Sequence, residues 1–144
     1  MGSDLDAAQV DAVLAPDPAW VAAIHAQWRE MIDLAVWGDI ALAQLGAAPR
    51  LRKRVLELGE RLRSLTASRT WIPHPRERLK SALAAALGVR EALDAVGGLL
   101  DGLSAGEDAA RLRAAHEALR ALIARELPAR ENAWAHLLDA QIGD

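Results

Sequence analysis

The sequence predicts an all-α protein, an antiparallel up-down helical bundle of four main helices plus a short C-terminal helix. Apolar residues recur every three or four positions in successive segments, as they do on the buried face of an α-helix. No stretch alternates apolar and polar residues in the manner of a half-buried strand. Proline and glycine interrupt the helical pattern, and the short connections they mark place consecutive helices side by side in opposite directions.

The chain has 144 residues, a length that suits one domain. We expect a single helical-bundle domain over residues 17–144 and a flexible N-terminal segment over residues 1–16. The absence of cysteine excludes disulfides, thiolate metal sites and cysteine nucleophiles, and it fits a cytoplasmic location. The apolar runs are too short to span a bilayer and the N-terminus lacks the layout of a signal peptide, so no membrane association is expected.

The first helix is predicted to begin at Asp17-Pro18, because aspartate caps the free amides of a first turn and proline fits the first helical position. Its buried stripe consists of residues at helical spacing, namely Trp20, Ile24, Trp28, Met31 and Ala35. The helix is expected to run to about Leu45, ahead of Gly46, with Gly38 as a point where it could break.

The second helix is predicted to begin at Pro49 and to end near Ala67. Its apolar residues form a narrow, heptad-like seam over 51–65, made of Leu51, Val55, Leu58, Leu62 and Leu65. The stretch 66–75 contains two prolines that favour extended geometry in the residues before them, so we expect a loop with Trp71 folded onto the bundle end.

The third helix, over about 76–101, contains Gly88 and the pair Gly97-Gly98. Each interior glycine costs about 1 kcal/mol of helix preference relative to alanine. Such local conflicts are typical of places where the backbone comes close to another helix or to a ligand.

The fourth helix is predicted to begin with a capping box formed by Ser104 and Glu107. Pro128 is expected to kink or restart the chain, which leaves a final short helix over about 129–141 with Trp134 on its apolar side.

Positive charge is concentrated in residues 50–80, which hold ten cations and three anions although the whole chain has a net charge of −3. This pattern indicates a solvated face or a basic hairpin that docks on acidic neighbours in the fold or in a partner. A nucleic-acid surface is not expected, because Trp71 is the only aromatic residue in the cluster that could stack on bases.

Tryptophan is the only aromatic residue type, with five copies and no phenylalanine or tyrosine. Large indoles beside many alanines and glycines indicate either interlocked helices or a cavity kept open for a flat ligand. His25 and His116 lie on or beside apolar stripes, where an unpaired imidazole would cost about 1–3 kcal/mol. Each is therefore half exposed at the edge of its stripe, bonded to a carbonyl, or an axial ligand of a haem-like cofactor. The candidate cofactor-binding residues are His25, Trp28, Trp37, Gly97, Gly98 and His116, with the tryptophans as walls and the glycines making room.

These residues predict a small soluble binding protein rather than an enzyme, with a Trp-lined apolar core site for a small apolar or aromatic ligand or a haem-like cofactor. No dedicated metal site is expected, because the His-x-x-x-His and Glu-x-x-His spacings are missing. The excess of arginine over lysine is typical of a GC-rich bacterial gene, whereas the clean helix caps and the restricted aromatic set also suit a designed bundle. The origin is left open.

Two helical segments carry a resemblance to an enzyme family. Glu57 and Glu60 in the first segment, and Glu91 and Asp94 in the second, look like the two acidic signatures of MazG-like nucleotide pyrophosphohydrolases. Leu56 stands where that family has the first of its paired glutamates. The resemblance implies an all-α enzyme that presents these carboxylates to Mg²⁺ and a nucleoside triphosphate.

A third interpretation is a protein-interaction or dimerisation module. It would use the seam over 51–65 together with the basic hairpin, and the oligomer would be a homodimer.

Overall fold

The structure is a computed structural model, and it describes residues 6–38, 48–103 and 106–142. The all-α prediction is confirmed, since the described residues form helices and loops with no strand among them. The helices are α1 (Ala7–Leu14), α2 (Pro18–Ala35), α3 (Ala48–Thr66), α4 (Pro75–Leu100) and α5 (Glu107–Ile142).

Helices α2 to α5 form the predicted antiparallel up-down bundle. Each of them packs against two others in a closed ring, in the order α2, α3, α4, α5 and back to α2. The stripes that predicted the helices face the interior, where Ile24, Met31, Leu79 and Leu112 are fully buried. Burying such side chains contributes about 1.5–3 kcal/mol each, which stabilises the ring far more than helix propensity does.

The seam over 51–65 is also used inside the bundle. All five of its apolar side chains are buried, with Leu51, Val55, Leu58 and Leu62 fully so. Dimerisation through this seam would therefore require the bundle to open, and any partner has to bind another face of α3.

Helix α2 is shorter than predicted. It ends at Ala35, where the backbone N–H of the next residue, Val36, donates a hydrogen bond to the Ile32 carbonyl at 2.9 Å. The end comes just before Gly38, the predicted break point. The predicted continuation over 39–45, the terminator Gly46 and the capping residue Ser104 lie outside the described residues.

The sequence does not predict helix α1, which lies within the N-terminal segment 1–16. Asp6 caps it by accepting a hydrogen bond from the Ala8 amide at 3.0 Å, and Val10 is fully buried. Helix α1 packs against α4 and α5. The boundary at residue 17 and the flexibility of the preceding segment stay predictions.

The predicted short C-terminal helix is the last part of α5, which continues through Pro128 for a total of 36 residues. An interior proline removes one helical hydrogen bond and costs about 3 kcal/mol. Contacts on both sides of it hold the helix: the Trp20 indole donates to the Leu122 carbonyl at 2.9 Å, and the Trp134 indole donates to the Val13 carbonyl at 3.1 Å.

Arginine side chains close the carboxyl ends of four helices. The last carbonyls of a helix have no amide partner and carry partial negative charge, so a guanidinium group satisfies both needs. The donor–acceptor pairs are Arg130 to Ala15 after α1, Arg52 to Val36 after α2, Arg69 to Ser64, Leu65 and Ala67 at the end of α3, and Arg113 to Leu100 and Leu103 at the end of α4.

Two of the ten cations in 50–80, Arg69 and Arg78, are thus buried structural groups. Burial lowers the pKa of Arg69, which has carbonyl and hydroxyl partners. Arg78 is paired with Asp11 at 2.9 Å. The loop between α3 and α4 does not fold Trp71 onto the bundle, since this side chain is 77% exposed. No helix among the described residues is long and apolar enough to cross a membrane.

Candidate functional site

Two of the six predicted cofactor-binding residues come together in a cleft between α4 and α5. His116 on α5 and Gly97 on α4 both line this cleft. The other four, His25, Trp28, Trp37 and Gly98, are not among the described residues that line it.

His116 is the buried polar group of the cleft, at 6% exposure. Its Nε2 atom lies 2.9 Å from the Leu93 carbonyl oxygen of α4. Because a carbonyl can only accept a hydrogen bond, Nε2 donates and carries the ring proton. In the tautomer with its proton on Nε2, the ring carries a lone pair on Nδ1, which is a hydrogen-bond acceptor.

Gly97 makes room for this imidazole. A Cβ atom at position 97 would lie 3.2 Å from His116 Cε1 and 3.5 Å from Nε2, so any other residue would push the ring away from α4. The first of the two predicted close approaches at Gly97-Gly98 is therefore present, and its neighbour is a histidine. Gly98 is different, because among the described residues no atom would lie within 4 Å of a Cβ there.

The cleft has a volume of about 330 Å³ and is open to solvent. Its lining combines buried leucines and the buried imidazole with exposed charged residues of both signs. The described lining residues are Leu93, Asp94, Gly97, Leu100 and Asp101 of the α4 side and Arg113, His116, Glu117 and Arg120 of α5.

Arg113 and Arg120 are site residues that the sequence analysis missed. They lie three residues before and four residues after His116, which places all three on one face of α5. That spacing was visible in the sequence, but it could not reveal that α4 lies opposite. Arg113 also holds the end of α4 in place, since it donates to the Leu100 and Leu103 carbonyls at 3.1 and 3.0 Å.

Trp28 packs against α3 instead of facing the cleft. Its indole donates to the Val55 carbonyl at 2.9 Å, and its ring lies over Gly59, where a Cβ would be 2.2 Å from Trp28 Cζ2. Gly59 is thus the small residue that accommodates this indole. It was visible as an interior glycine in the predicted second helix, the same signal that singled out Gly97.

The other predicted wall, Trp37, is 79% exposed, and His25 is half-buried on α2. Trp20, Trp28 and Trp134 each donate from the indole nitrogen to a carbonyl of a neighbouring helix or its end. These three tryptophans therefore join helices, as in the interlocked-helix interpretation, and the cleft around His116 is lined by polar groups.

The four carboxylates of the pyrophosphohydrolase resemblance do not form a metal site. Glu60, Glu91 and Asp94 are exposed, and Glu57 pairs with Arg54 at 3.0 Å. Within the described residues, no three His, Asp or Glu side chains are grouped so that they could hold a metal ion.

Elsewhere on α4 and α5, an ion pair joins Arg90 to Glu131, and the hydrogen bond that Arg90 donates to the Glu131 carboxylate raises the pKa of Arg90. This pair fixes the two helices beyond the cleft.

Comparison of the chain with protein-family models, with curated proteins and with solved structures gave no match.

Proposed function

We propose that this small helical protein binds a small polar ligand with ionised groups in the cleft between α4 and α5. The observation that carries the proposal is the buried imidazole of His116, which lines an open cleft beside Gly97. A leucine at 116 and an alanine at 97 would each suit a helix interior better, so this pair gives up stability for a group that can recognise a ligand.

The lining indicates the ligand class. A volume of about 330 Å³ is at the lower end of small-molecule sites. Arg120 offers a cation, Asp94, Asp101 and Glu117 offer carboxylates, and His116 Nδ1 offers a lone pair. A molecule the size of an amino acid, with an ammonium and a carboxylate group, matches this set.

The test is a titration followed by the ¹H–¹⁵N signals of the histidine side chains. The probes are L-arginine, L-glutamate and glycine betaine, added singly. We expect the His116 ring signals to move in a saturable way with at least one amino acid, and the His136 signals to stay fixed. His116→Leu should abolish the response in the nearby backbone amides, while the exposed control His136→Leu should not. If no probe moves the His116 signals, or if His116→Leu leaves the response intact, the proposal is wrong.

A haem-like cofactor is the second candidate, favoured by the contact between His116 and Gly97. Axial binding through Nε2 would first have to break the bond to the Leu93 carbonyl, and the predicted Trp28 wall packs on α3. Addition of haemin decides between the two. A Soret band that is lost in His116→Leu supports the haem-like site, whereas an unshifted spectrum excludes that site and leaves the small polar ligand to the titration of the histidine signals.

A further inference from the structure

The outer groove between α3 and α4 is lined by arginines from one side and by small residues from the other. Arg50, Arg54 and Arg61 are spaced four and seven residues apart, so they share the flank of α3 that faces α4. Arg50 and Arg54 line a cavity of about 390 Å³ with Ala95, Gly98 and Leu99. The Arg61 side chain lies over Gly88, whose Cβ would be 3.2 Å from Arg61 Cδ.

Gly98 is the glycine of α4 that the fold does not explain. Gly97 accommodates His116 and Gly88 accommodates Arg61, but a Cβ at 98 would have no atom of the residues that the structure describes within 4 Å. An exposed glycine inside a helix costs about 1 kcal/mol relative to alanine. Here it keeps the backbone of α4 bare where the cavity is open, so another chain can approach it closely.

The charge of this surface selects the partner. Helix α3 carries six exposed cations and two carboxylates, Glu57 and Glu60. Glu57 pairs with Arg54, and Glu91 is exposed on α4. These interspersed carboxylates would repel a continuous polyanion such as a nucleic acid, whereas a partner with separate carboxylates can pair with the arginines one by one.

We infer that this groove binds an acidic helical segment of a partner protein, with carboxylates on one face that pair with Arg50, Arg54 and Arg61. The small residues of α4 allow the helix to lie close to the backbone, and each arginine can bind a carboxylate through two hydrogen bonds. The site is separate from the His116 cleft, so the two proposals can fail independently.

The probe is a synthetic alanine-based helix with four glutamates on one face, labelled for fluorescence anisotropy. A second peptide has the same composition with the glutamates spread around the helix. We expect the first peptide to bind at least about fivefold more tightly, because only it can pair with several arginines at once. Equal affinities of the two peptides would overturn the proposal.

Two double charge-reversal variants distinguish binding in the groove from attraction by the net charge of the protein. Arg50→Glu with Arg54→Glu should weaken binding at least about tenfold, since two attractions become repulsions. The control, Lys53→Glu with Arg63→Glu, makes the same change in net charge on exposed residues outside the cavity lining, and should weaken it less than about threefold. Equal losses would show attraction by net charge alone and contradict a groove site.

An uncharged variant tests the groove itself. Gly98→Leu places a side chain in the open space without changing the charge. We expect it to fold normally and to weaken binding of the one-faced peptide. Light scattering measures the oligomeric state, and a single-stranded oligonucleotide serves as a competing polyanionic ligand. If light scattering shows a dimer that Gly98→Leu dissociates, the occupant of the groove is a second copy of this chain. If the oligonucleotide binds more tightly than the peptide, the groove is a surface for polyanions. Either result overturns the proposal of an acidic helical segment.

Discussion

Close contacts between glycines and rings decide the geometry of this bundle at the scale of single residues. Gly59 lies under the Trp28 indole and Gly97 lies beside the His116 imidazole. The sequence identifies such glycines, because each of them interrupts a helical pattern. It cannot say which ring lies opposite, since that depends on how two helices are aligned. The sequence therefore predicts Trp28 as a wall of a site with Gly97-Gly98, whereas its neighbour in the structure is Gly59.

The first prediction concerns Gly59. Alanine at 59 would place a Cβ 2.2 Å from a rigid ring, so the indole or the helix must move. Overpacking costs about 1–3 kcal/mol, and the better helix propensity of alanine returns about 1 kcal/mol. We therefore expect Gly59→Ala to lower the free energy of unfolding in urea. The control Gly98→Ala meets open space and should raise it by up to about 1 kcal/mol. A stabilising Gly59→Ala would contradict the packing of Trp28 on α3.

The second prediction concerns Gly97, where the neighbour is the edge of an imidazole at 3.2 Å. Gly97→Ala should gain less stability than Gly98→Ala, because His116 must shift by a few tenths of an ångström. In a His116→Ala background the obstacle is gone, so both substitutions should gain the same amount, about 1 kcal/mol. Urea unfolding of the five variants measures this coupling. Identical gains in the presence of His116 would show that the ring does not press on Gly97.

At the scale of helices, arginines close the carboxyl ends of four helices, Arg69 from just beyond the end of α3 and the other three from more distant positions in the chain. Arg69 is the most buried example and reaches three carbonyls at the end of α3. The basic segment that stood out in the sequence is therefore only partly a surface. Periodicity predicted the helices well because it is a local property, whereas the roles of these arginines depend on which helix end lies within reach. The passage of α5 through Pro128 escaped prediction for the same reason, since Trp20 and Trp134 hold it from other elements.

The third prediction is that Arg69→Met destabilises the protein by about 1–3 kcal/mol. Methionine fills a similar volume but leaves the buried carbonyl of Leu65 and the partly buried carbonyls of Ser64 and Ala67 without their donor. Arg63→Met changes the same residue type at an exposed position of the last turn of α3 and should stay within about 0.5 kcal/mol of the parent. Thermal unfolding followed by circular dichroism at 222 nm gives both values. Equal effects would mean that Arg69 acts through charge alone.

At the scale of the whole molecule, α1 joins the N-terminus to the far end of α5. Asp11 pairs with Arg78 of α4, the Val13 carbonyl accepts from Trp134, and the Ala15 carbonyl accepts from Arg130. The guanidinium group of Arg130 also lies 5.4 Å from the Trp20 ring centroid. A helix of eight residues has too few turns for its periodicity to be recognised. Its place in the fold depends on these distant partners, which explains why the sequence suggested a flexible segment.

The last prediction follows from these contacts. A chain of residues 17–144 should still fold, because the ring of α2 to α5 is complete without α1. It should lose at least about 1.5 kcal/mol, the contribution of one buried valine side chain, since Val10 is fully buried. Removing α1 also exposes the Trp134 indole, so the fluorescence maximum should shift to longer wavelength. In the full chain, Val10→Ala should reproduce part of the loss, and the exposed neighbour Gln9→Ala should not. An unchanged stability and spectrum after truncation would show that α1 is not docked in solution, and residues 1–16 would then be the flexible segment that the sequence predicts.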